Sequence, residues 1–324
     1  MSPLCNYFGY LFLSYCLSEQ ADLADQQSSP QTISERRNAF ELEYQWQYIN
    51  FTWPSQNAYN FALSRGYYIP ENLVLLDLNN HGKVILSYMF PKEICSSQGG
   101  FLNDIVVDDT SDGFAYITDN SVIDPGLIVY SRRQNRAWKL RDRTMFDEEG
   151  GSGFVVGNLT FKQLAPIDGI ALSPAHSKTR NKILFYTALA GLNLYAIKTK
   201  VLKNENLVNS GDWRKAIKVV GKKQAQSDGM MMDNEGNLFY TLPPLYGVGK
   251  WNINTELSSS QIVAEDRENM VWTDTFAFDD KGNLRLLTNN INKFMDSSYP
   301  LKFSSDVQFR IFKYYTGTKS YLDS

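Results

Sequence analysis

Histidine is nearly absent from this chain: among its 324 residues there are two, His81 and His176. Both stand in turn-like contexts, so we expect no metal site built on imidazole. No Gly-x-Ser-x-Gly motif is present, which argues against a serine hydrolase elbow. The glycine-rich segment Gly151–Gly157 does not link a strand to a helix as a phosphate-binding loop does, and we predict that it is a flexible connection.

Cysteine is also scarce. Of the three cysteines, Cys5 and Cys16 lie in an apolar N-terminal stretch, and Cys95 stands alone in the rest of the chain. Loss of that stretch would leave no internal disulfide. Cys95 is then either a free buried thiol or the remnant of a lost pair.

The chain lacks both an excess of basic charge and a long apolar run. Its net charge of −3 and pI of about 5.6 argue against a nucleic-acid partner. No stretch reaches the ~20 apolar residues that span a bilayer. We interpret residues 1–18 as a signal peptide cleaved near Ser18, although Lys and Arg are missing from it; the alternative is a buried N-terminal strand. Residues 19–39 are polar and predict a mobile leader.

Two glycosylation sequons, at Asn50 and Asn158, agree with export. The sequence therefore predicts a secreted, extracellular glycoprotein without a membrane span.

What the chain does contain is a repeat. One phrase occurs four times: an Asp, a short strand, a tight turn and a second strand. The four copies begin at Asp104, Asp168, Asp228 and Asp274. Paired strands that recur in this way predict an all-β propeller, with residues 40–324 forming a single domain.

Further strands complete the predicted blades. Segments Gly126–Tyr130, Asn193–Ile197 and Gly249–Ile253 each follow one repeat and predict outer strands, giving four recognisable blades. Leu73–Tyr88 predicts a hairpin with His81 in its turn, the outer half of a partial blade. Phe40–Ile49 alternates apolar and polar residues, and we expect it to pair with the last blade. The apolar stripe within Ser55–Arg65 predicts a helix.

Several motifs together resemble the insect yellow and major royal jelly protein family, in the order in which that family has them. They are Phe40–Trp46, Tyr68–Asn72, Ala115–Asp119, Gly126–Tyr130 with Ala137 and Trp138, Asp168–Pro174, and Gln226–Gly229 with Gly236–Phe239. The resemblance implies a six-bladed propeller. It also implies that on the order of a hundred residues, about two repeats, are missing between Asn72 and Leu73. A splice form, a gene-model fault or a deletion would each produce this, and the family's cysteine pairs lie largely in or beside the gap.

The repeated aspartates Asp104, Asp168, Asp228 and Asp274 are expected near the mouth of the central channel. Their carboxylates could bind a cation or an ammonium group. Alternatively, they accept backbone N–H bonds that fix the loops between blades. Because a catalytic residue is needed only once, repetition in every blade favours the second interpretation.

Thr273 and Asn289 are sharper candidates for a ligand site. In the family's amine-binding salivary members, a Thr and an Asn at matching positions bond the ligand, and an aromatic residue two positions after that Asn packs on its ring. Here that position is Ile291, so the resemblance implies a weaker stacking surface. The Thr273 hydroxyl, the Asn289 amide oxygen and the Asp274 carboxylate offer side-chain oxygens that suit an ammonium head.

Three functions remain open at this point. The first is a secreted protein that binds a small aromatic amine or catechol-derived compound in the channel, with a role near pigmentation or melanin chemistry. The second is an enzyme, either dopachrome-converting or lactonase-like with Ca²⁺ held by Asn103, Asp228 and Asn289. The third is a non-catalytic structural or storage protein. Catalysis is the less favoured, no cofactor other than that Ca²⁺ is expected, and exposed strand edges predict self-association.

Overall fold

The computed structural model describes residues 39–46, 71–96, 99–109, 113–175, 181–295 and 306–323. These segments fold as a β-propeller made of four-stranded antiparallel blades. The helix predicted within Ser55–Arg65, the sequon at Asn50 and the predicted signal peptide lie outside the described residues.

The first three blades follow the order of the chain from innermost to outermost strand. Their bounds are, in blade 1, β4 (Leu102–Asp108), β5 (Phe114–Asp119), β6 (Gly126–Ser131) and β7 (Arg136–Leu140); in blade 2, β10 (Ile167–Leu172), β11 (Ile183–Ala188), β12 (Asn193–Lys198) and β13 (Lys218–Lys222); and in blade 3, β14 (Met230–Met232), β15 (Asn237–Leu242), β16 (Gly247–Asn252) and β17 (Gln261–Glu265). The predicted outer strands are confirmed as β6, β12 and β16. The innermost strands contact one another from blade to blade, β4 with β10, β10 with β14 and β14 with β18.

Blade 4 is assembled from both ends of the described chain. It contains β18 (Trp272–Phe278), β19 (Asn283–Asn289), β20 (Phe309–Tyr315) and, as its outermost strand, β1 (Glu41–Trp46). β1 runs antiparallel to β20, with Leu42 opposite Phe312 and Trp46 opposite Phe309. The predicted pairing of the N-terminal strand with the last blade is therefore confirmed.

Two hairpins lie outside the blades. β2 (Asn72–Asp77) and β3 (Lys83–Met89) form a two-stranded sheet, with His81 in the left-handed region (φ 51°) at the turn. This confirms the predicted hairpin, which we refer to as the half blade. β8 (Gly153–Val156) and β9 (Leu159–Lys162) pair through a two-residue turn at Gly157, whose φ is 66°.

The second hairpin corrects the prediction of a flexible connection at Gly151–Gly157, which was wrong. Phe154 and Val156 alternate with exposed residues and are buried, so this short strand has an apolar face that packs on the propeller. A glycine at the first turn position supplies the positive φ that a tight hairpin needs. Asn158 lies exposed at the tip of this hairpin.

The apolar core is divided into layers between neighbouring blades. One layer, with Tyr116, Leu127 and Ile170, lies between blades 1 and 2. A second joins blades 2 and 3, and a third joins blades 3 and 4. A separate cluster holds the β2–β3 hairpin on blade 1 and contains Cys95, which is free and buried. Of the two interpretations of Cys95, the free buried thiol is the one observed.

Helical structure is minor. Three short α-helices occur among the described residues: α1 (Thr199–Leu202), α2 (Glu205–Ser210) and α3 (Asn292–Met295). No helix in this part of the chain is long and apolar enough to cross a membrane.

The C-terminal segment crosses the ends of the inner strands. Thr318 donates to Asp233 Oδ2 in blade 3 at 3.0 Å, and the Tyr321 hydroxyl donates to Val107 O in blade 1 at 3.1 Å. Since β4 runs from Leu102 to Asp108, this crossing lies at the end of the strands away from Asp104.

Candidate functional site

The four repeated aspartates come together at one end of the inner strands. Asp104, Asp168 and Asp274 lie within the first three residues of β4, β10 and β18, and Asp228 lies two residues before β14. Asp168 and Asp274 are buried, and Asp104 and Asp228 are half-buried. The predicted convergence of these carboxyl groups is thus present, and we call this set the aspartate cluster.

Glycine explains how closely the blades approach at the cluster. A Cβ at Gly169, next to Asp168, would meet the carbonyl oxygen of Asp228; a Cβ at Gly229 would meet that of Asp274. Instead, the Gly229 N–H donates to Asp274 O at 2.8 Å. The Asp-Gly pairs of the repeat therefore mark points where one inner strand touches the next blade.

Threonines of the second strands hold two of the aspartates in place. The Asp104 N–H donates to Thr118 Oγ1 at 2.9 Å, and the Asp228 N–H donates to Thr241 Oγ1 at 3.0 Å. Both threonines are fully buried. These bonds give the Thr that ends each repeated phrase a structural role in blades 1 and 3.

The donors to the carboxyl groups come mainly from neutral side chains. Asn103 donates to Asp168 Oδ1, and Asn120 donates to Asp168 Oδ2 at 2.8 Å. Trp272 Nε1 donates to Asp228 Oδ2 at 2.6 Å. For Asp104 the donors are backbone groups, the N–H of Ile105 at 2.8 Å and of Ile170 at 3.3 Å. The structural interpretation of the repeat therefore holds for Asp104, while the other carboxyl groups bond to side chains.

Asp168 and Asp228 lie within hydrogen-bonding reach of each other, so the two carboxyl groups can share a proton. Burial raises the pKa of Asp168 to about 8, an effect that the bond with Asp228 opposes and the charges of Asp104 and Asp274 increase. Burial also raises the pKa of Asp104 to about 7. Burial and the neighbouring carboxylates raise the pKa values of Asp228 and Asp274 well above their usual range.

The aspartate cluster has no ion-pair partner in the part of the chain that the structure describes. None of the ion pairs in the described segments includes a member of the aspartate cluster. Nor do the described residues contain three or more His, Cys, Asp or Glu groups arranged to hold a metal ion. The cluster is therefore an acidic site without a basic partner among the described residues.

Thr273, Asn289 and Ile291 lie beside the cluster in blade 4. The Thr273 side chain is fully buried; its hydroxyl accepts from the Leu242 N–H and donates to Gly247 O, both at 3.2 Å, so it joins blades 3 and 4. Asn289 donates to Asp274 Oδ2 and accepts from the Ile291 N–H at 2.9 Å. Asn289 thus belongs to the cluster, whereas the Thr273 hydroxyl has protein partners for both of its roles.

The β8–β9 hairpin lies across this end of the propeller. In sequence it connects blades 1 and 2, yet Phe154 packs on Trp272 of blade 4 and Ile291 contacts the same apolar cluster. The Gly157 N–H donates to the Tyr246 hydroxyl of blade 3 at 3.1 Å, and Asn292 Nδ2 donates to Val156 O at 3.3 Å. The hairpin therefore packs on blades 3 and 4 beside the aspartate cluster.

Several residues of the site were not found from the sequence. Asn120 follows directly after β5, and Ser227 precedes Asp228; the Ser227 hydroxyl is buried without a hydrogen-bond partner among the described residues. The sequence suggests Asn103 only as a Ca²⁺ ligand, whereas in the structure it donates to Asp168. The available signal was adjacency, since each of these polar residues stands within two positions of a repeated Asp or Thr.

Comparisons with known proteins relate the chain to one family. A family model described as major royal jelly protein matches residues 59–318. The chain is similar to yellow-related salivary protein LJM17 of Lutzomyia longipalpis, with 27% identity over 67% of this chain and 53% of that protein. It is also similar to dopaminechrome tautomerase of Drosophila melanogaster, with 22% identity over 78% of this chain and 56% of that protein. Thus the chain spans about half the length of these curated relatives. Among solved structures, a luciferin-regenerating enzyme superposes with a TM-score of 0.46 and 10% identity over 78% of this chain and 74% of that chain.

Proposed function

This chain belongs to the major royal jelly protein family, and we propose that it binds a small aromatic amine or a related catechol-derived cation at the aspartate cluster. The observation that carries the proposal is the set of four converging carboxyl groups without a basic partner in the described residues. Buried charges of one sign are costly unless a counter-charge or protons neutralise them. An ammonium head would supply that charge.

The neutral groups around the cluster fit the rest of such a ligand. Asn289 and the Ser227 hydroxyl, which has no hydrogen-bond partner within the described segments, offer polar contacts, while Ile291 and the β8–β9 hairpin offer apolar surface. A site of this kind, apolar with a few placed polar groups, is typical of small-molecule binding. Thr273 belongs to the proposed site as a structural residue, because its hydroxyl bonds backbone groups of blade 3 and so joins blades 3 and 4.

Calorimetric titration of serotonin and of dopamine tests the proposal. We expect binding by the wild type and at least about a tenfold loss of affinity in Asp228→Asn, the loss of about 1.4 kcal/mol or more from one charged contact. Asp280→Asn removes an exposed aspartate of blade 4, between β18 and β19, and serves as the control. Absence of binding by the wild type, or equal affinity in Asp228→Asn, would overturn the proposal.

A second candidate is proton transfer on a catechol-derived quinone. It is favoured by one observation: carboxyl groups with pKa values of about 7 and 8, at Asp104 and Asp168, are suited to general acid–base work near neutral pH. We choose this class of reaction and substrate because one relative is named dopaminechrome tautomerase.

Decay of the dopaminechrome absorbance, measured with wild type and Asp168→Asn, tests this candidate. We expect a loss of rate of about a hundredfold or more, as for removal of a general acid or base. Asp280→Asn should keep the wild-type rate, and an Asp168→Asn protein that keeps it too would rule the candidate out.

We also propose that the protein acts outside the cell, near pigmentation or melanin chemistry. The apolar residues 1–18 and the exposed sequon at Asn158 support export. N-terminal sequencing of the protein from culture medium should find a chain that starts near residue 19. Recovery of soluble intracellular protein with Met1 intact would contradict export.

A further inference from the structure

Trp272 makes two different contacts, one through its indole N–H and one through its ring. Its indole N–H donates to Asp228 Oδ2 at 2.6 Å. Its ring packs against Phe154 of the β8–β9 hairpin, with a centroid separation of 6.2 Å. The side chain is fully buried, so both contacts are shielded from water.

The bond to Asp228 spans two blades. Trp272 begins the inner strand of blade 4, and Asp228 precedes the inner strand of blade 3. The indole bond holds one oxygen of a carboxyl group that is also within hydrogen-bonding reach of Asp168. The indole therefore sets the orientation of the carboxyl group that Asp168 meets.

The hairpin contact is equally specific. Phe154 stacks on Phe161 of the partner strand at 5.5 Å, and this aromatic pair rests on Trp272 together with Val156. The Trp272 side chain therefore also packs against the hairpin beside the aspartate cluster.

We propose that Trp272 is the positioning residue of the site: its indole N–H orients Asp228 toward Asp168, while its ring seats the β8–β9 hairpin beside the pair. This inference rests on the proposed function of the aspartate cluster. It adds a residue that acts through Asp228 and not through contact with a ligand.

Titration of the Asp168–Asp228 pair depends on this donor. The groups that act on Asp228 are Asp168 on β10, Asp104 on β4, Asp274 on β18 and the Trp272 N–H. Burial and the carboxylates of Asp168 and Asp104 raise the Asp228 pKa, and the indole bond lowers it because an N–H donor favours the ionised form. Removal of the N–H should therefore move ionisation of the pair to higher pH.

The test compares Trp272→Phe with Trp251→Phe in protein labelled with ¹³C at the aspartate carboxyl groups. Trp251 is a buried tryptophan of blade 3 whose indole N–H donates to Thr255 O at 3.1 Å, away from the cluster. Asp168→Asn and Asp228→Asn assign the signals of the pair. We expect Trp272→Phe to shift the titration midpoint of the pair upward by on the order of one pH unit, and Trp251→Phe to leave it in place.

A second variant separates packing from hydrogen bonding. β-(3-Benzothienyl)alanine incorporated at position 272 keeps the two-ring shape and replaces the N–H with sulfur. The same upward shift in this protein supports the proposal, and an unchanged midpoint overturns it even if Trp272→Phe fails to fold.

Calorimetry with serotonin then separates the proposed amine binding from the positioning role of Trp272. A shifted carboxyl titration without serotonin binding by the wild type would refute the proposed function and leave Trp272 as the group that orients Asp228. Amine binding with an unshifted titration would keep the function and remove Trp272 from its positioning role.

Discussion

Gly229 shows at the scale of one residue why the repeat contains Asp-Gly. Its Cα faces the carbonyl oxygen of Asp274 in the next blade, a rigid backbone group that cannot move aside for a methyl group. We expect Gly229→Ala to lower the free energy of unfolding by about 1–3 kcal/mol, as overpacking does. Urea denaturation measures this change.

Gly153 provides the matched control for that substitution. A Cβ at Gly153 meets nothing within 4 Å, and its φ is not in the positive region. Gly153→Ala should therefore stay within about 0.5 kcal/mol of the wild type. Equal effects of the two substitutions would show that the close approach at Gly229 does not constrain the fold.

The aspartate cluster predicts an unusual dependence of stability on pH. The Asp168 pKa rises from an ordinary 3.8 to about 8 on folding, so the folded state holds a proton that the unfolded state releases above about pH 4. Stability contributed by this group is complete below the unfolded pKa and is lost as pH rises through about 8. The slope approaches about 1.4 kcal/mol per pH unit for each such proton.

Thermal denaturation between pH 5 and pH 8 tests this sign, with both values chosen inside the window set by Asp168. The melting temperature of the ligand-free wild type should fall with rising pH, and that of Asp168→Asn should fall less. Asp280→Asn, an exposed substitution, should follow the wild type. A wild type that becomes more stable toward pH 8 would contradict the burial of protonated carboxyl groups.

The residue scale also shows the limit of sequence reasoning. Convergence of the aspartates could be predicted, because each copy of the phrase places its Asp at the start of an inner strand. The side chains that donate hydrogen bonds to these aspartates could not be predicted. Trp272 is 44 residues from Asp228 in the sequence, and Asn103 is 65 residues from Asp168. Such pairs depend on which blades are neighbours and on their rotation, and neither follows from a local pattern.

Among the elements, β1 carries the closure of blade 4. Glu43 on this strand bonds Arg285 of β19 through two oxygens, at 2.8 and 3.2 Å, and Arg285 also pairs with Asp279 at 2.7 Å. The pair is largely buried beside the outermost strand of the blade. A bidentate carboxylate–guanidinium pair fixes the register of β1 as well as its attachment.

We expect Glu43→Gln to lower the free energy of unfolding by about 1–2 kcal/mol, in the range of hydrogen bonds between charged groups. Hydrogen exchange should show the loss first in β1 and β20. Glu41→Gln on the same strand, where the side chain is exposed, is the control. Equal protection of β1 in wild type and Glu43→Gln would mean that backbone pairing alone holds the strand.

The β8–β9 hairpin shows why one element was misjudged. Its glycines predicted flexibility, but two alternating buried side chains in β8 and a single positive φ at Gly157 are enough for a tight hairpin on an apolar surface. That surface is made by Trp272 and its neighbours, which lie far away in sequence. Tertiary packing therefore determined the structure of the β8–β9 hairpin, because its strands are too short to show a clear alternation of apolar and polar residues.

At the scale of the whole molecule, the β2–β3 hairpin differs from the blades. Within the described segments each blade has four strands, and this sheet has two. One face, with Leu73, Leu86 and Tyr88, packs on blade 1. The other carries exposed apolar side chains, with Val74 at 43%, Leu76 at 41% and Val84 at 54% exposure. A two-stranded sheet with an apolar outer face is prone to associate with another chain.

We therefore expect the protein to self-associate through this hairpin as its concentration rises. Val84→Lys places a charge on the exposed face and should weaken association by about tenfold or more, since burial of a valine contributes about 1.5–3 kcal/mol. Val219→Lys is the matched control: Val219 is an exposed valine, at 66%, on β13, the outermost strand of blade 2. Sedimentation equilibrium of the three proteins gives the association constants. A wild type that sediments as a monomer at every concentration, or a Val219→Lys protein that dissociates as much as Val84→Lys, would show that the half blade does not mediate association.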